Sequence, residues 1–180
     1  MQVVLADAGP LIGLARIQQL QLLRDLFQQV WITPVIAAEI GLAQSMEQSA
    51  VFPGSDRLHE ACGQGWLQIA SQPAGTADTY QPLNPGVDAG EASAISYAMQ
   101  QTAADTQVLL LIDDRCGRAE ARRQGLSIIG TAAVLVLAKG RGLVPACAPL
   151  LNALRSEGYY LSDSIVAAVL DQAGEPVAGP

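Results

Sequence analysis

Residues Val108 to Ile112 are an unbroken apolar run that ends on Asp113-Asp114, and Val3 to Ala6 are a shorter run that ends on Asp7. A short stretch apolar at every position suits a strand buried on both faces, as in a parallel sheet covered by helices. Val30-Trp31-Ile32, Trp66 to Ala70 and Ser127-Ile128-Ile129 read as further short strands. Between these runs, apolar residues recur at helical spacing. Leu11, Leu14 and Ala15, then Leu20, Leu23, Leu26 and Phe27, predict two short helices. Strand and helix alternate for most of the length, which predicts an α/β fold with a central parallel sheet between helical layers.

Local signals bound the remaining elements. Thr33-Pro34 is an N-cap and first-turn pair, opening a helix to about Leu42. A helix is expected over Arg57 to Gly63. Asp88 can cap the next, where Ala92, Ile95, Ala98 and Met99 form one stripe. Gly125 ends a helix from Arg115 to about Gln124, and Gly140 ends one from Thr131 to Lys139. Two more are expected, about Pro145 to Glu157 and Ser162 to Gln172. Residues 44–56 are polar with a Pro-Gly turn, and Ser71 to Val87 is a long loop of the kind that is usually functional or mobile. The expected organisation is one domain over 1–175 with a frayed tail at 176–180.

Half the residues are apolar and only 4% aromatic, so Leu, Ile, Val and Ala must fill the core. The net charge of −7 argues against a basic nucleic-acid-binding surface. An enzyme that meets phosphates through metal ions, however, gathers carboxylates at its centre. Cys62, Cys116 and Cys147 are widely spaced, without a C-x-x-C, and indicate neither a disulfide framework nor a zinc site. A reducing cytoplasm fits them. His59 is the sole histidine, which excludes a site built on paired histidines. No secretory signal is read at the N-terminus, and the longest apolar run, Ala132 to Ala138, is too short for a membrane span.

Asp7 and Asp113 each follow a strand, at the sheet edge where parallel α/β folds bind ligands. A charge placed after four or five apolar residues is partly buried and needs a partner. Arg16 is the one basic residue near Asp7 in sequence, so a metal ion is a natural candidate. Capping is the alternative for each acid, because both precede helices. Glu39 lies within the Pro34–Leu42 helix and Glu91 in the first turn after Asp88; a solvated helix face and a favourable helix dipole are their alternative readings. Asp114 is the second member of an acidic pair. Mg²⁺ and Mn²⁺ are hard ions that favour such oxygen ligands. Two-metal phosphodiester cleavage needs converging carboxylates and no histidine. Arg115, Arg118 and Arg122 share one helix face, suited to gripping phosphates or to pairing with Glu120 and its neighbours.

With these residues in place, the chain resembles the PIN-domain superfamily, in particular a prokaryotic subgroup of uncharacterised PIN-like proteins related to toxin nucleases. The resemblance spans nearly the whole chain. It rests on Val4-Leu5-Ala6-Asp7-Ala8-Gly9-Pro10-Leu11, Pro34-Val35-Ile36-Ala37-Ala38-Glu39-Ile40, Asp88-Ala89-Gly90-Glu91-Ala92, Leu110-Leu111-Ile112-Asp113-Asp114-Arg115, Gly130-Thr131 and Ala138-Lys139-Gly140-Arg141-Gly142-Leu143. It implies a three-layer α/β/α fold and Mg²⁺- or Mn²⁺-dependent endoribonuclease activity. Asp7, Glu39, Glu91 and Asp113 would be the catalytic, metal-holding acids, with Asp114 a further ligand. Arg115, Arg118 and Thr131 would contact the RNA. Many relatives are toxins neutralised by a small antitoxin protein. Two departures stand out: Ala8-Gly9 supplies no hydroxyl after the first acid, and Glu91 occupies a place where many PIN nucleases use Asp.

Two other classes compete. One is a catalytically inactive PIN-like module that binds nucleic acid or protein. The other is a phosphate-handling α/β enzyme. Position 9 is Gly9, where the D-x-D-G-T of haloacid-dehalogenase-type phosphatases needs Asp. Receiver domains begin with an acidic pair, and too little chain follows Asp114 for their sheet. Leucines and alanines of 11–27, if exposed, would support a homodimer.

Overall fold

A computed structural model describes residues 2–42, 52–71 and 80–176. Much of the expected polar stretch 44–56, half of the expected loop 71–87, and the tail beyond residue 176 lie outside the described residues. The sheet contains β1 (Gln2–Ala6), β2 (Val30–Ile32), β3 (Leu67–Ile69), β4 (Gln107–Leu111) and β5 (Ser127–Ile129). All neighbours are parallel, in the order β3-β2-β1-β4-β5. The helices are α1 (Ala8–Arg16), α2 (Gln21–Phe27), α3 (Pro34–Glu39), α4 (Ser55–Gly63), α5 (Ala89–Ala103), α6 (Arg115–Arg123), α7 (Thr131–Gly140), α8 (Ala148–Ser156) and α9 (Asp163–Gln172).

The chain winds outward from β1 through β2 to β3, then returns across β1 to place β4 on its other side. β1 and β4 pair along their whole length, from Gln2 with Gln107 to Ala6 with Leu111. Their carboxyl ends form the crevice where the winding direction reverses, the preferred ligand position of such sheets. One further bond, Asp7 N–H to Leu111 O at 2.9 Å, carries the pairing past the end of β1. Likewise Ile112 N–H donates to Ile129 O at 2.9 Å.

Helices cover the sheet in two groups. α3 and α6 pack beside α5, which lies on β4 and β1; α1 packs with α4 and α8, and α7 with α2 and α9. This is the three-layer α/β/α architecture expected. The core is aliphatic: Leu5, Leu11, Leu14, Leu23, Ile32, Ile36, Ile95, Leu110 and Leu111 are fully buried. Leu11, Leu14, Leu20, Leu22, Leu23 and Leu26 all face inward, so the exposed apolar face expected over 11–27 is absent. Their stripe is spent on the core of this chain.

α4 opens at Ser55, two residues before the expected Arg57, with Gly54 at its N-cap, and two other helix boundaries differ from expectation for local reasons. α3 ends at Glu39 because Gly41 takes φ +79°, a left-handed conformation that stops the helix short of Leu42. α8 opens at Ala148 with Pro149 in its first turn, so Pro149 and not Pro145 marks its start. No helix among the described residues is long and apolar enough to cross a membrane.

Candidate metal centre

Asp7 follows β1 directly and is 8% exposed. It occupies the N-cap position of α1, yet its side chain makes no capping bond. The amides of Ala8 and Gly9 lie near enough to soften its pKa without reaching hydrogen-bond geometry. Burial, with the charges of Asp88 and Glu39, nevertheless pushes the carboxyl up to about 7. Arg16 does not serve it: its guanidinium donates to Glu157 O at 3.0 Å.

Glu91 comes from the first turn of α5. A capping box sets its place: Asp88 Oδ1 accepts from Glu91 N at 2.8 Å, and Glu91 Oε2 accepts from Asp88 N at 3.0 Å. Its other oxygen, Oε1, is buried with no hydrogen-bond partner among the described residues, and Glu91 is 2% exposed. That oxygen faces α6 so closely that a Cβ on Gly117 would come within 2.5 Å of it. Burial chiefly, then Asp88, Asp114 and Asp7, raise Glu91 to about 7.

Glu39 stands at the C-terminal end of α3, where the helix dipole disfavours an acid. The residue is exposed, but its carboxylate reaches toward the start of α5: a Cβ on Gly90 would lie 2.7 Å from Glu39 Oε2. Desolvation and then Asp88 raise its pKa. A buried chain of hydroxyls fixes α3 to α5. Ser93 Oγ donates to Gly90 O at 2.7 Å, and Thr33 Oγ1, which caps α3, lies 2.6 Å from Ser93 Oγ.

The acidic pair after β4 divides its work. Asp114 caps α6, its Oδ1 accepting from Cys116 N at 2.6 Å and Gly117 N at 3.2 Å. Asp113, a candidate cap by position, turns instead to the start of α7. Its Oδ1 accepts from Thr131 N at 3.0 Å, and its Oδ2 from Thr131 Oγ1 at 2.5 Å and from the Tyr159 hydroxyl. Thr131, expected at the RNA, is fully buried and directs amide and hydroxyl to Asp113.

The basic face of α6 is less uniform than its spacing suggests. Arg118 is half-buried and donates to Ile112 O at 2.9 Å. Burial lowers its pKa, as does the neighbouring Arg122 charge. Arg115 and Arg122 are exposed and in no ion pair among the described residues. Glu120, a candidate partner for that arginine face, is 1% exposed. It bonds Tyr80 Oη and Arg123 Nη2 and accepts from Asn84 N at 3.3 Å. These bonds tie the segment leading to Asp88 onto α6.

Asp7, Glu39, Asp88, Glu91 and Asp114 therefore share one electrostatic neighbourhood, with Asp113 at its rim near Tyr159. Among the described residues, none is in an ion pair with a basic side chain. Among the described residues, no three acid, histidine or cysteine side chains stand together at metal-holding spacing. The donor set is nonetheless all oxygen, the chemistry of a hard divalent ion. The orphaned Glu91 Oε1 and the side-chain-free surfaces of Gly90 and Gly117 fit such an ion. Asp88 could have been found as a site neighbour from its Asp-x-x-Glu signature; Glu120, Tyr80 and Tyr159 carry no comparable signal.

A family described as PIN domain matches residues 3–175. No curated protein and no solved structure matches the chain.

Proposed function

Because the chain belongs to the PIN-domain family, whose members are generally nucleases, we propose that it is a divalent-metal-dependent endoribonuclease using Mg²⁺ or Mn²⁺. The observation that carries this reading is the pair Asp7 and Glu91. Two buried carboxylates, both held up to about 7, share a field and, among the described residues, neither is ion-paired to a lysine or arginine. Leaving them so costs stability, which a bound cation would offset.

A divalent cation in this crevice supplies Lewis acidity toward a phosphoryl oxygen and acidifies water. Asp7 and Glu91 would hold it from the ends of β1 and α5. Glu39, Asp88, Asp113 and Asp114 would complete the ligand set directly or through water. Arg115 and Arg122, both exposed, would grip RNA phosphates on the flank of α6. Arg118, committed to Ile112 O, would steady the turn that carries Asp113.

We extend the reading to a cytoplasmic toxin neutralised by a small antitoxin protein; the resemblance to toxin nucleases supports it. A homodimer would need a surface other than the buried leucines of α1 and α2.

The test is cleavage of end-labelled, mixed-sequence single-stranded RNA with Mg²⁺, Mn²⁺ or EDTA. An Asp7→Asn/Glu91→Gln double variant purified identically runs beside the wild type. Cleavage that requires metal and falls to background in the variant supports the reading. A folded wild type that neither cuts RNA nor gains thermal stability with Mn²⁺ overturns it in favour of a non-catalytic module.

A further inference from the structure

Tyr159 lies in the link between α8 and α9, outside the alternation of strand and helix that builds the sheet. Its ring packs on α1 at Gly13, where a Cβ would come within 2.7 Å of Tyr159 Cε2. Gly13 therefore opens the slot through which a C-terminal residue reaches the crevice. There the hydroxyl donates to Asp113 Oδ2. It lies within the field of Asp7 as well as Asp113.

A carboxylate offers about four lone-pair sites, two on each oxygen. On Asp113, Oδ2 receives the hydroxyls of Tyr159 and Thr131, and Oδ1 receives the Thr131 amide. One site remains, on Oδ1. A phenol keeps its proton at neutral pH, so the Tyr159 hydroxyl is a donor to Asp113.

We propose that Tyr159 is a positioning residue of the acid site: with Thr131 it locks the Asp113 carboxylate so that a single lone pair, on Oδ1, is offered to the divalent cation or its water. Asp113 is thereby a one-point contact and not a chelating ligand. This inference rests on the metal-dependent reading above and deepens it.

The experiment titrates Mn²⁺ into the full chain, following binding heat and the near-ultraviolet tyrosine difference spectrum. Wild type, Tyr159→Phe and Tyr160→Phe are compared; Tyr160 is 87% exposed and serves as the control. Phe keeps the ring in the Gly13 slot. The expected result is a tyrosine spectral change in wild type and in Tyr160→Phe. In Tyr159→Phe that change is lost and Mn²⁺ binding is roughly tenfold weaker, as for partners that orient metal ligands. Thr131→Val weakens binding similarly, and Thr131→Ser, which keeps the hydroxyl, restores it. Wild-type affinity with an undiminished spectral change in Tyr159→Phe overturns the proposal while leaving the nuclease reading intact. A wild type that takes up no Mn²⁺ overturns both.

Discussion

Asp7 shows how a single side chain can set a protein's response to pH. Its folded-state pKa is about 7 against an ordinary 3.8. Between those values the native state binds more protons than the unfolded chain, so this group makes stability fall as pH rises. The full cost is felt above pH 7 and vanishes near pH 4. In metal-free protein, Asp7→Asn should therefore stabilise at pH 8 by on the order of 2 kcal/mol, or several degrees in Tm. The difference should shrink to nothing near pH 4. Thermal melts across that range check it; a variant less stable than wild type at pH 8 would contradict the buried-charge account. The position of Asp7 was legible because an acid closing an apolar run belongs at a strand end. Its lack of a capping bond was not, since capping geometry depends on side-chain direction. For Asp113, sequence order pointed to the helix that follows it, and three-dimensional proximity directed it to Thr131 and Tyr159.

Among the elements, α5 and α6 meet where glycine permits it. Gly117 stands where a methyl group would lie 2.5 Å from Glu91 Oε1 and 2.6 Å from Ile112 Cδ1. Gly117→Ala must push α6 away or turn Glu91 out of place. It is expected to destabilise by about 1–3 kcal/mol and to weaken Mn²⁺ binding more than Ala119→Ser, an exposed change on the same helix. Chemical denaturation and calorimetric titration measure the two effects separately. Strands, caps and most helix ends were readable from apolar runs, Thr33-Pro34, Asp88 and Gly125. The contacts between elements were not. Nothing in the helical spacing of α6 distinguishes Glu120, buried under Tyr80 and Asn84, from a solvated acid. Burial there is decided by a segment 36 to 40 residues earlier in the chain.

At the scale of the molecule, the segment just after α9 is tied to the helical layer that supports the site. Glu175 accepts from Cys147 N at 2.6 Å and Ala148 N at 2.9 Å, capping α8 from afar, and pairs with Lys139 of α7 at 2.9 Å. These backbone and lysine donors hold its carboxyl down to about 2, below an ordinary 4.5. A depressed acid stabilises fully above its unfolded pKa and loses that contribution as pH falls from 4.5 toward 2. Glu175→Gln should lower Tm by several degrees at pH 7 and bring the two proteins together at about pH 2–3, as followed by circular dichroism. An equal deficit at every pH would mean that the charge is immaterial.

The pairing of β1 with β4 also sets a timetable. Gln2 waits for Gln107, and Asp7 for the amide ladder that ends at Leu111. A chain emerging from the ribosome thus displays Asp7 long before β4 can flank it. Contacts so distant in sequence close slowly, and Tyr159 arrives later still. Polypeptides whose synthesis stops before β4 would hold Asp7, Glu39, Asp88 and Glu91 but no crevice, so an assembled acid site would belong only to a chain that extends past β4.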